Sequence, residues 1–85
     1  MNNDNVKNDN IIALSKLKKG EKGRIVRVAS RGIIRKRITE MGITSGTEVQ
    51  VKGFAPFGDP MVLGVMGYRL GLRKSEAADI FVEVI

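Results

Sequence analysis

The chain has 85 residues, of which 42% are hydrophobic, 28% charged and 5% aromatic, with a formal charge of +6 and neither cysteine nor histidine. That length supports one small domain with a limited core, and the composition fits a soluble globular protein rather than a disordered one. The lack of cysteine excludes disulfides, thiolate metal ligands and thiol catalysis and fits a reducing cytoplasm, while no apolar run approaches the roughly 20 residues of a membrane-spanning helix.

Residues 1–10, MNNDNVKNDN, are polar and read as a disordered tail rather than a secretory signal. Folding is expected to begin near Ile11, where Ile11, Ile12, Leu14 and Leu17 precede a turn marked by Gly20 and Gly23. In GRIVRVA the β-branched residues Ile25, Val26 and Val28 interleave with Arg24 and Arg27, which predicts a strand with one buried face. The period then changes. Ile34, Ile38 and Met41 fall at i, i+4 and i+7, the apolar stripe of a short helix, with Arg31, Arg35, Lys36 and Arg37 over the remaining surface and Gly42 as terminator.

Alternation returns with Val49 and Val51 after a Ser45-Gly46 turn, and again with Met61, Leu63 and Val65, then Leu70 and Leu72. Gly67 is placed for the first central position of a type II′ hairpin turn. Gly64 and Gly71, inside strands, suggest bulges or sharp bends. Between these alternating segments lies FAPFGDP (54–60), which holds both prolines. Pro56 removes a ladder donor, Gly58-Asp59 allows a sharp turn and Pro60 keeps Asp59 out of a helix, so the stretch reads first as a rigid corner. A helical turn capped at Ser75 and a closing strand with Phe81, Val82, Val84 and Ile85 complete the chain. The predicted fold class is mainly β. Five or six short strands, one short amphipathic helix and one helical turn cannot form two packed sheets and are expected to bend into a small barrel over 11–85.

Basic character belongs to the first half: eleven basic residues face four acidic ones from Met1 to Gly42, against four and five from Ile43 onward. Such a patch suits nucleic acid, anionic lipid headgroups or an acidic protein surface, and equally a solvated surface that keeps the chain in solution. Against nucleic acid, Phe54, Phe57, Tyr68 and Phe81 form no clustered stacking platform. There is no histidine base, serine nucleophile elbow or P-loop, so an enzyme is not expected. The metal-ligand candidates are carboxylates alone: Glu40, Glu48, Asp59, Glu76, Asp79 and Glu83. Their spacing predicts no dedicated iron site, and weak binding of Fe(II) or another divalent ion through oxygens stays open.

Three motifs in order, RITEMGITSGTEV (37–49), APFGDP (55–60) and YRLGLRKSEA (68–77), resemble the ferrous iron transport protein A (FeoA) family, and the likeness runs from Leu14 to Val84. The resemblance implies an SH3-like barrel and a cytoplasmic accessory of bacterial ferrous iron uptake. Its partner would be the membrane GTPase transporter FeoB, which would bring it to the inner face of the membrane. It would act as a monomer or weak homodimer, with no cofactor firmly implied. Similar domains end metal-responsive repressors; no helix-turn-helix precedes this one, which favours the accessory over a metal-sensing or nucleic-acid-binding module. Motif positions outside the expected core give the candidate contact residues Arg37, Pro56, Asp59, Tyr68 and Arg73. Each has a plainer structural role available: ion pairing for the arginines, a barrel-rim cap for Tyr68, a turn for Pro56 and Asp59.

Overall fold

The computed structural model describes residues 10–85; the tail expected over 1–10 therefore lies outside the described residues except for Asn10, whose carbonyl accepts the Val84 N–H. Six strands form one antiparallel sheet: β1 (Ile11–Ala13), β2 (Lys22–Val28), β3 (Glu48–Phe54), β4 (Met61–Val65), β5 (Tyr68–Leu72) and β6 (Ile80–Val84). Their order across the sheet is β1-β6-β2-β3-β4-β5. A 3-10 turn (Leu14–Lys16) follows β1, helix α1 (Gly32–Glu40) joins β2 to β3, and the four-residue helix α2 (Lys74–Ala77) joins β5 to β6.

A single sheet with only short helices beside it must curl to bury its own inner face, and two bulges supply the bend. In β2 the register against β6 skips Val26, so Ile25 and Val28 both point inward although three residues apart. In β3 the register against β4 skips Lys52 in the same way. Strict alternation across GRIVRVA therefore fails at one residue: Val26 and Arg27 are both exposed, and Val28 turns inward where alternation from Ile25 would have placed Arg27. The bulges fall at these positions and not at Gly64 or Gly71. Gly64 serves Lys52 instead: a Cβ there would lie 2.6 Å from Lys52 Cε, so the missing side chain leaves room for the lysine stem. Gly23 lies within β2, where a Cβ would stand 2.9 Å from Val82 Cγ2, so it is a packing glycine rather than the expected turn residue.

The resulting core draws Leu14, Ile25, Ile38, Ile43, Met61, Leu63, Ile80 and Val82 to one centre. β1 and β5 remain the edges of a half-open barrel, since among the described residues no pairing joins them. The β4–β5 hairpin turns through Met66 and Gly67, both at positive φ (51° and 88°), which makes it a type I′ turn with Gly67 second, not the II′ turn expected.

α1 departs from its predicted stripe. Ile38 is fully buried and Met41 partly so, but Ile34 is 47% exposed and Ile33 85%. Its first turn packs no apolar side chain into the core and meets the barrel through the Arg35 bond to the Val28 carbonyl; its last turn is seated in the core. Gly42 at φ +95° lets the Ile43 N–H reach the Ile38 carbonyl and its own N–H reach Thr39, a Schellman ending whose hydrophobic pair, Ile38 and Ile43, lies in the core. The Tyr68 hydroxyl donates to the Met41 carbonyl just beyond the helix.

Candidate docking face

Three of the residues singled out by the motifs, Arg37, Asp59 and Arg73, meet around α2. A four-residue helix cannot satisfy its own first N–H groups, and Ser75, expected as its cap, lies inside it; the N-cap position is Arg73. The missing acceptors come from elsewhere. Glu76 reaches back to the Arg73 N–H (3.2 Å), and Asp59, fifteen positions earlier, accepts the Lys74 N–H at 2.9 Å. The carboxylate of FAPFGDP is therefore the external cap of α2, and an acidic oxygen there also complements the positive end of the turn.

The same contacts pin the loop. The Ala55 N–H donates to the Pro60 carbonyl (2.9 Å) and the Gly58 N–H to the Ala55 carbonyl (2.7 Å), with Gly58 at φ +89° and a cis Asp59–Pro60 bond. The Lys74 ammonium lies 5.0 Å from the centroid of the Phe54 ring at the loop's entry. With both ends held, the tip carries Pro56, exposed, and Phe57, 100% exposed.

Arg37, on the last turns of α1, forms an ion pair with Glu76, whose side chain is largely buried. This pair joins the two helices across a shallow cleft of about 320 Å³ lined by Arg37, Met41, Pro60, Gly71, Arg73 and Glu76. Of the five predicted contact residues, Arg37 and Arg73 line this cleft, while Asp59 is not among its lining residues and meets α2 through the Lys74 N–H. Tyr68 touches its margin through the Met41 carbonyl and also lines a second cleft beside Lys52 and Arg69. Pro56 stands apart on the loop tip. Arg37 also fills the plainer structural role expected of it, an ion pair, whereas the Tyr68 hydroxyl caps a helix end rather than the barrel rim.

Two residues matter here that the motifs did not single out. Phe57 sits in the quoted motif between proline and glycine, where a turn must point it away from the core; that was its signal. Glu76, one of the six candidate carboxylates, turns to Arg37 and the Arg73 N–H, while Asp79, three residues on, stays exposed. Glu48 and Glu83 share Arg24 at 3.2 and 3.4 Å. Among the described residues no three His, Cys, Asp or Glu side chains converge as a metal-ligand group, and no helix is long and apolar enough to cross a membrane.

The profile of the FeoA domain matches residues 12–84. The Fe(2+) transport protein A/Fe(2+) transporter FeoB fusion protein of Porphyromonas gingivalis is 46% identical over 72 residues, which are 85% of this chain and 8% of that protein, so the chain spans a small fraction of that relative's length. The solution structure of a FeoA-like protein from Clostridium acetobutylicum superposes with a TM-score of 0.82 at 42% identity, covering 89% of this chain and 88% of the other. A zinc-complexed FeoA from Stenotrophomonas maltophilia, described as a procaryotic SH3 domain protein, gives 0.72 at 30% identity over 82% and 87% of the two chains. The SH3-like barrel predicted from strand pattern and motifs is thus the observed fold, and the chain belongs to the FeoA domain family.

Proposed function

We propose that this chain is a non-enzymatic accessory of bacterial ferrous iron uptake that docks on the cytoplasmic portion of a FeoB-type transporter. Two relatives support the reading. In the Porphyromonas gingivalis protein the transport protein A segment and the transporter are one polypeptide, and the Stenotrophomonas maltophilia FeoA is described in terms of ferrous iron transport activation. Ferrous iron in this reading is the transporter's cargo, and this chain acts on the protein that moves it.

The observation that carries the docking mode is Phe57, wholly exposed on a loop held at both ends. An aromatic ring offers large contact area with few rotamers to freeze, and burying one in a partner's pocket is how a small interface acquires a dominant contact. Because Asp59 and Ala55 already fix the loop, little ordering cost falls on binding. Arg73 and Lys74 beside it supply cations for an acidic rim, which strengthens encounter and makes it salt-sensitive. Regulation follows only if the chain prefers one transporter state, since equal affinity for two states shifts neither.

Calorimetric titration of the transporter's cytoplasmic portion, with GDP and with a GTP analogue, tests this. The expected result is binding in the micromolar range or weaker, reduced by added salt, tighter for one nucleotide state, and about tenfold weaker for Phe57→Ala. No binding in either state overturns the reading. Binding that ignores Phe57→Ala keeps the partner but removes the loop from the interface.

A further inference from the structure

The first turn of α1 has no part in the docking face. Residues 31–37 are all exposed, with Ile33 at 85% and Ile34 at 47%. Around these aliphatic side chains stand Arg31, Arg35 and Lys36, and no acidic residue occupies the first turn. Arg35 donates one guanidinium N–H to the Val28 carbonyl, which ties it to the end of β2 while its other N–H groups stay available. Among the described residues, the N–H groups of Gly32, Ile33 and Ile34 have no acceptor, and the N-cap residue Arg31 supplies none. A helix start normally gathers oxygens and acidic side chains; this one gathers cations and aliphatic groups.

We propose that this turn is a membrane-surface contact that seats Ile33 and Ile34 in the interface of an anionic bilayer, with Arg31, Arg35 and Lys36 on the headgroup phosphates. The combination fits lipid better than protein for two reasons. The turn is exposed throughout and lines neither of the clefts described above, so no groove there helps to shape a protein partner. Its cations are long side chains set next to the apolar ones, an arrangement in which the stems follow the isoleucines into the interface while the charged ends stay at phosphate level. Each Lys or Arg near an anionic surface raises partitioning by about fivefold, so three of them with two aliphatic anchors give weak, reversible attachment. This surface is separate from the Phe57 loop, and its test uses no transporter.

The full chain is sedimented with vesicles of phosphatidylcholine alone and of phosphatidylcholine with one-third phosphatidylglycerol, at low and at high salt. Binding is expected to the anionic vesicles only, to fall at high salt, and to drop about tenfold in the double variant Ile33→Asn, Ile34→Asn. Phe57→Ala is expected to bind vesicles as the unsubstituted chain does. Because the isoleucines are exposed, circular dichroism of the double variant is expected to be unchanged. Failure to bind anionic vesicles overturns the proposal and leaves the cations to an acidic protein surface. Equal binding to both vesicle types, or binding that ignores the isoleucines, overturns it as well.

Discussion

The two helices of this barrel are fixed by opposite means. α2 has four residues and could not persist alone, yet its first N–H groups are held by Asp59 and Glu76, and Glu76 is paired in turn with Arg37. α1 has nine residues and is fixed mainly at one end: the last turn carries Ile38 into the core, the Schellman ending and the Tyr68 hydroxyl, while the first turn is uncapped and exposed and is tied to β2 through the Arg35 bond to the Val28 carbonyl. Length therefore says little about which helix is the more constrained. What matters is where the barrel supplies acceptors and apolar contacts. It supplies them along one line, from Tyr68 through Met41 and Arg37 to Glu76, Arg73 and Asp59, and that line borders the docking face proposed above.

The sharpest way to break this contrast lies within α1 itself. Ile38 is fully buried and pairs with Ile43 across the helix ending. Ile38→Ala should lower the unfolding free energy by roughly 2–5 kcal/mol, the usual range for an aliphatic truncation that leaves a cavity. Urea denaturation measures it; a loss under about 1 kcal/mol would mean that the last turn is no better seated than the first.

Next in size is Gly42, at φ +95° and with the position of a Cβ only 2.8 Å from Tyr68 Oη. Gly42→Ala should cost about 1–3 kcal/mol, combining left-handed backbone strain with that collision. Tyr68→Phe should cost about 1 kcal/mol through the lost bond to the Met41 carbonyl. Combined with Tyr68→Phe, the alanine should cost less than alone, because the next ring atom, Cζ, is 4.0 Å away. A double-mutant cycle reads that coupling directly. Strict additivity would place the hydroxyl elsewhere in solution and detach β5 from the end of α1.

Asp59 tests the other helix. Asp59→Ala should cost about 1 kcal/mol, as for other N-cap carboxylates, whereas Asp59→Asn keeps an acceptor and should retain most of that stability. If both variants lose equally, charge rather than the hydrogen bond to the Lys74 N–H holds α2. If neither loses, α2 does not depend on the loop, and Phe57 loses the rigid mount on which the docking reading relies.

How much of this was legible in the sequence follows from the range of the forces involved. The strand alternation of Met61, Leu63 and Val65 and the terminator at Gly42 are local, and both could be read directly. Three local readings went astray because a distant group decided them. The cap of α2 is Asp59 and not Ser75, since an oxygen from another loop already occupies the first N–H. The stripe through Ile34 fails because the barrel reaches only the last turns of α1, and periodicity carries no information on how far a neighbour extends. The bulge at Val26 breaks a correct strand by a single residue, set by pairing with β6. The residues of the proposed docking face could be picked out as motif positions, but their geometry could not. Arg37 and Glu76 lie far apart in sequence, and only the closed fold brings their charges together.

The smallest expected effect falls on Ile33, and it sharpens the contrast most. The side chain is 85% exposed at an uncapped helix start, so Ile33→Asn removes almost no buried area and exchanges two residues of similar helix propensity. Stability should change by no more than about 0.5 kcal/mol, the usual margin for surface positions. Measured beside Ile38→Ala, it makes one helix its own control: five positions apart, two isoleucines should differ severalfold in their contribution to folding. An Ile33→Asn loss above about 1 kcal/mol would mean that the side chain is covered in solution. A near-zero change would leave Ile33 without a role in folding, and an exposed isoleucine among arginines would then have to be explained by what it touches outside this chain.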